Sequence, residues 1–182
     1  MSVYKPNKEV KSASSSPFFK QYNSDRMKTI SYKNTDKNLY PISELTKLSE
    51  ECRSLVEDSE NDPYTQYQIG RSLIEGTNGF PRRSDIGMKY INQSKEYQCI
   101  EAIVYYCSLL IDGVVIPKDV VEAKKILKKY IKGKNSDALL LYAKVLIDEN
   151  DYSNGIKYLI KASKEANNEA MFELAKIFIL GL

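Results

Sequence analysis

The stretch Ile100–Tyr130, IEAIVYYCSLLIDGVVIPKDVVEAKKILKKY, constrains the fold more than any other, because it carries two helical periods about one turn and its parts recur on both sides. Ala102, Tyr106 and Leu110 stand at i, i+4 and i+8, an apolar stripe of helical spacing. Gly113 supplies the left-handed residue that ends such a helix, and Pro117 prevents its continuation. Asp119 is the predicted N-cap of a second helix whose inward face is Ala123, Ile126, Leu127 and Tyr130.

With the turn residue of each unit as the anchor, the pattern repeats three and a half times. The anchors are Gly76, Gly113, Glu149 and Gly181. Ahead of them, in register, come Thr65, Ala102, Ala138 and Ala170, then Ile69, Tyr106, Tyr142 and Leu174. Small residues follow at once: Gly70, Cys107, Ala143 and Ala175. Nearer the turn stand Leu73, Leu110, Leu146 and Phe178, each followed by isoleucine. The second helices align through Gly87, Ala123 and Gly155, then Tyr90-Ile91, Ile126-Leu127 and Tyr158-Leu159. Small residues at fixed points on both helices let two axes approach closely. The expected fold is all-α: a right-handed α-α superhelix, a solenoid of antiparallel helix pairs.

The pattern divides the chain into a tail over 1–40, a capping helix over 41–62 and an array over 63–182. The units of the array run 63–98, 99–134, 135–166 and, in part, 167–182. The tail holds eight Lys/Arg against three Asp/Glu, lacks an apolar period and is expected to be disordered. Deleting it should leave the melting midpoint unchanged. Residues 41–62 reverse that charge, with two bases against seven acids. One amphipathic helix is predicted there, with Ser43 as N-cap and Leu45, Leu48, Cys52, Leu55 and Val56 facing inward. At the other end, Met171, Phe172, Leu174, Ile177, Phe178, Ile179 and Leu180 are apolar on more than one face. The helix Glu169–Leu180 is therefore expected to associate with a second copy, to continue into a longer array, or to bury enough to act as its own cap.

At these residues the chain resembles the Sel-one-like repeat family, relatives of the tetratricopeptide repeats. The family pattern survives as Ala102…Tyr106-Cys107…Gly113-Val114-Val115…Pro117-Lys118-Asp119…Ala123. Unit one keeps Ile69-Gly70…Gly76…Gly79-Phe80-Pro81 with Thr65 in place of the alanine. Unit three replaces the turn glycine by Glu149 and shortens the connection to Glu149–Ser153. The resemblance implies a non-catalytic adaptor that binds a protein or peptide on its concave face. Its eukaryotic branch implies an alternative, an adaptor subunit of an endoplasmic-reticulum-associated degradation complex. That role needs a signal or an anchor, and MSVYKPNKEV has the pattern of neither. A secreted cysteine-rich branch pairs thiols in every unit and has members proposed to hydrolyse β-lactams. Cys99 and Cys107 do not recur in the other units, so that activity does not carry over.

Composition removes most chemistry. The chain has no histidine, which takes away the commonest general base and metal ligand. Cys52, Cys99 and Cys107 form no CxxC pair, and no disulfide or zinc framework follows from them. Gly76-Thr77-Asn78-Gly79 lacks the Gly-Lys-Ser/Thr of a phosphate loop. Asp148, Glu149 and Asp151 lack the alternation of a calcium loop. Accordingly no catalytic residue, cofactor or metal is expected. Over the array, residues 63–182, the net charge is only +3, which does not describe a nucleic-acid-binding face. The lysines of Lys124–Lys132 lie opposite the core stripe and read as a solvated surface. No segment reaches the roughly 20 apolar residues of a membrane helix. The expected compartment is the cytoplasm, with free thiols.

In tetratricopeptide-like arrays the first helices line the concave side. Carried over by the same anchor, one candidate column is Tyr67, Val104, Leu140 and Phe172. It is flanked by Glu101, Asp137 and Glu169 and by Arg71, Lys144 and Lys176. An apolar track bordered by both charge signs suits an extended or helical peptide.

Overall fold

The turn inside each of the three complete units is closed by a backbone bond to the same column. The N–H at the start of each second helix donates to the carbonyl of the leucine column: Arg83 to Leu73 at 2.7 Å, Asp119 to Leu110 at 2.9 Å and Asp151 to Leu146 at 2.8 Å. The computed structural model describes residues 39–181, all within one compact unit, and contains no strand among them. The first pair is α3 (Pro63–Glu75) and α4 (Ser84–Glu96). The second is α5 (Ile100–Asp112) and α6 (Val120–Tyr130), and the third α7 (Ser136–Asp148) and α8 (Tyr152–Lys164). A fourth first helix, α9 (Asn168–Leu180), packs on α8. The helices form the expected solenoid, with the core running along it as linked clusters.

Local chemistry sets the helix limits. Asp62 accepts from the Tyr64 N–H at the start of α3, where Pro63 sacrifices no intrahelical bond. Asp119, Asn135, Asp151 and Asn167 cap α6, α7, α8 and α9 in the same way. Gly76 and Gly113 end α3 and α5 with φ of 71° and 72°. Unit three, which has Glu149 at that place, keeps a left-handed residue by moving it one position on, to Asn150 with φ of 65°.

The small-residue columns do what spacing requires of them. Gly70 faces Gly87 across α3 and α4, and Gly155 lies against Ile147 and the Ala143 carbonyl across α7 and α8. With Cys107 and Ala123 in those places, α5 and α6 pack less closely. Thr65 departs from the alanine column for a local reason, since its hydroxyl donates to Asp62 at 2.6 Å and reinforces the cap.

The N-terminal cap differs from its prediction. Where the periodicity predicts one helix, the chain forms α1 (Ile42–Leu45) and α2 (Glu50–Asp58), followed by a 3-10 turn over Ser59–Asn61. Ser49, not Ser43, supplies the side-chain cap, accepting from the Cys52 N–H. Arg53 donates to the Leu45 and Leu48 carbonyls on the near side of the break. The bend turns Leu55 outward while Leu48 and Cys52 stay buried against α3 and α4. Tyr40, assigned by composition to the tail, is 3% exposed and belongs to this cluster. Apart from Leu39 and Tyr40, the predicted tail lies outside the described residues.

Candidate partner-binding face

The ten residues predicted to bind a partner do not form one open track. Tyr67 and Val104 are half-buried, Leu140 is 7% exposed, and Phe172 is exposed. Leu140 is a core residue, clustered with Leu139, Ala143, Leu159, Ala170 and Ile177 because α8 and α9 both close over that part of α7. Val104 packs against the cluster built on Cys107, Leu127 and Tyr142. The apolar column is therefore a seam between helices, accessible only towards its ends.

The flanking charges are also drawn into the array. Lys144 Nζ reaches Glu169 Oε1 at 2.5 Å, linking α7 to α9. Asp137 Oδ1 accepts from Asn167 Nδ2 at 2.9 Å and holds the same junction. Lys176 pairs with Glu173 at 2.6 Å and rests 5.3 Å from the Phe172 ring centre. Glu101 is exposed and accepts from the Cys99 thiol at 3.2 Å. Lys144, Asp137 and Glu169 thus join neighbouring units, a duty that fixed-column reasoning about single helices cannot see.

Tyr67 and Arg71 stand apart, because both line a recess of about 680 Å³ beside α2 and α3. Leu55, Tyr64 and Phe80 complete its apolar wall, and Glu75 and Asn78 its polar one. Tyr64 and Tyr67 lie 5.9 Å apart by ring centres, and Tyr67 meets Tyr105 of α5 edge-on at 6.0 Å. Arg71 donates to Glu75 at 2.8 Å, comes within 3.5 Å of the Tyr67 hydroxyl, and stands 5.7 Å from the Tyr105 ring centre. The hydrogen bond to Glu75 leads in raising the Arg71 pKa, so its charge is permanent. Burial raises the Tyr64 and Tyr105 phenols, which stay protonated and able to donate. Tyr64 and Glu75 carried no signal in the sequence, and Leu55, predicted to face inward, is exposed instead. Tyr105 reaches the group from the next unit, which no single-helix pattern reveals.

The remaining sequence features are structural or solvated. Asp151 caps α8, Glu149 pairs with Lys124 at 2.5 Å, and Asp148 is exposed, so the acidic turn has separate duties. No group of acidic and sulfur side chains able to hold a metal occurs among the described residues. Ser94 of the Asn92-Gln93-Ser94 tripeptide is buried and donates to the Pro63 carbonyl. Lys125, Lys128, Lys129 and Lys132 face solvent. Among the described residues, no helix is long and apolar enough to cross a membrane.

No protein-family model and no curated protein sequence matches the chain. Among solved structures, the crystal structure of a Sel1 repeat protein from Oxalobacter formigenes superposes on 71% of this chain, with a TM-score of 0.58 and 20% identity. The match covers 54% of that protein, so this chain spans about half its length. The recurrent turn bond, the small-residue columns and this superposition agree: the chain has a Sel1-like helical repeat fold.

Proposed function

We propose that the chain is a non-catalytic adaptor that holds a peptide or partner domain against the first helices of its array. The observation that carries this reading is the recess at Tyr64, Tyr67 and Arg71. Tyrosine and arginine are the residues that most often anchor protein interfaces, since each combines a large apolar body with a directed polar end. Here two phenols and a guanidinium line one recess with Leu55, an exposed apolar side chain, and Tyr105 backs Tyr67 and Arg71 from α5. An apolar or aromatic side chain of the partner fills the space between Leu55 and Tyr64.

Thiol chemistry is a poor alternative. Burial pushes the Cys99 thiol up to about 11 and the Cys107 thiol up to about 12, so neither supplies a nucleophilic thiolate near neutral pH. Nothing in the molecule speaks for the endoplasmic-reticulum adaptor. The cytoplasmic assignment is part of the same proposal; Cys52, Cys99 and Cys107, all free and buried, support a reducing compartment.

The test is peptide selection from a random display library on the immobilised full chain. Tyr67→Ala combined with Arg71→Glu is expected to lose at least tenfold in affinity for the selected peptides, measured at a temperature where both proteins are fully folded. Lys128→Glu, on the outer face, is the control that retains binding. Peptides indifferent to the recess pair but lost on Lys128→Glu overturn the reading. Lys144→Glu is unsuitable as a probe because it also breaks the junction with Glu169.

A further inference from the structure

The face of α9 turned away from the core is built like a helix–helix contact surface. Ala170 and Ile177 point inward and are buried. On the other side Met171 is 45% exposed, Phe172 63%, Phe178 76% and Ile179 82%, and Ala175 is exposed among them. At 3.6 residues per turn, Ala175 lies on the midline of this stripe, with Met171 and Phe178 on one side and Phe172 and Ile179 on the other. The equivalent residues of α7 are Leu139, Leu140, Ala143, Leu146 and Ile147, of which the first four are buried and the last half-buried. Helix α8 covers α7 with Gly155 set against Ile147 and the Ala143 carbonyl.

The sequence of α9 says what fits on it. Each helix that covers a first helix carries a small residue followed three and four positions later by two large apolar ones: Gly87…Tyr90-Ile91, Ala123…Ile126-Leu127 and Gly155…Tyr158-Leu159. The exposed face of α9 has that spacing itself, as Ala175…Phe178-Ile179. The covered first helices share it, as Gly70…Leu73-Ile74 and Ala143…Leu146-Ile147, so covered and covering helices present one pattern and the open face of α9 matches both. A surface complementary to itself makes an isologous pair. We propose that two copies of the chain associate through α9, antiparallel about a two-fold axis at Ala175.

Electrostatics and area agree with this occupant. No charged side chain lies inside the stripe, and the bordering Glu169 and Lys176 are already paired with Lys144 and Glu173. At about 150–250 Å² for a whole aromatic side chain, the exposed parts of Phe172 and Phe178 with Met171 and Ile179 offer on the order of 500 Å² per copy. A pair then buries roughly 1,000 Å², the lower bound for a specific interface. The association is accordingly concentration-dependent, not permanent.

Sedimentation velocity on the full chain, from low micromolar to near-millimolar concentration, is expected to show the mass rising from one copy to two. Ala175→Glu and Ile179→Lys should each hold it at one copy with unchanged helicity and melting at low concentration, because both positions are exposed in a single copy. Ala175→Cys should give a disulfide-linked dimer on mild oxidation, whereas Lys125→Cys should not; the native thiols are buried and do not compete. A mass of one copy throughout overturns the proposal. So does association that survives Ala175→Glu, or a dimer that Ala175→Cys fails to link.

Discussion

Gly70 and Gly87 meet backbone to backbone: a methyl on Gly70 would stand 2.9 Å from the Gly87 carbonyl oxygen, and one on Gly87 2.7 Å from that of Gly70. Glycine in a helix interior ordinarily costs about 1 kcal/mol relative to alanine, so Gly→Ala usually stabilises. Here the obstacle is the opposite backbone, which cannot rotate away, and overpacking of this kind costs about 1–3 kcal/mol. Gly87→Ala is therefore expected to lower the urea midpoint. Gly133→Ala, whose methyl meets nothing within 4 Å, should leave it unchanged. Equal effects of the two substitutions would mean that α3 and α4 are further apart than described.

Tyr40 marks where the folded part begins. It is buried with Leu48, Cys52, Phe80 and Tyr90, although the composition around it reads as tail. Large-to-small changes at such a site cost the lost transfer energy plus a cavity. Tyr40→Ala should destabilise by about 3 kcal/mol. Two truncated chains, one starting at Leu39 and one at Pro41, should differ in stability by a similar amount in denaturant titrations. A chain starting at Pro41 that melts like its longer partner would contradict this.

Alkaline pH should loosen the array through its buried thiols. Burial holds Cys99 and Cys107 protonated in the fold, up to about 11 and about 12 against an ordinary 9.0, and Tyr90 is likewise pushed up to about 12. The unfolded chain releases these protons at lower pH than the folded one. The stabilisation is thus complete below the ordinary thiol value and drains away as pH rises towards the folded values. Urea midpoints should fall steadily from pH 9 upwards, and Cys107→Ala, a residue the same column accepts as Ala143, should flatten that fall. A midpoint independent of pH over this range would show that the thiols are open to water.

Much of this molecule was legible in the chain because a solenoid is built from neighbours. The turn glycines Gly76 and Gly113, the Asp119 cap and the small-residue columns act over one or two turns of helix, and spacing alone exposes them. The break before Ser49 was not legible, since Leu45, Leu48, Cys52 and Val56 keep a helical period across it. The Ser49 cap and Arg53, which folds back on the Leu45 and Leu48 carbonyls, stabilise the break.

The binding face shows the same division more sharply. Register placed Tyr67, Val104, Leu140 and Phe172 on one column, yet their exposure runs from buried to open. Which of them is open to a partner depends on what the following unit lays over them. Helix α9 seals Leu140, nothing among the described residues covers Phe172, and Tyr105 reaches back from α5 to complete the group around Tyr67 and Arg71. The sequence by itself determined the helices, their turns and their repeat, because those rest on local periods and backbone chemistry. The tertiary structure decided which faces are buried, which charges join units and where a recess opens, because each of these depends on side chains brought together from different units.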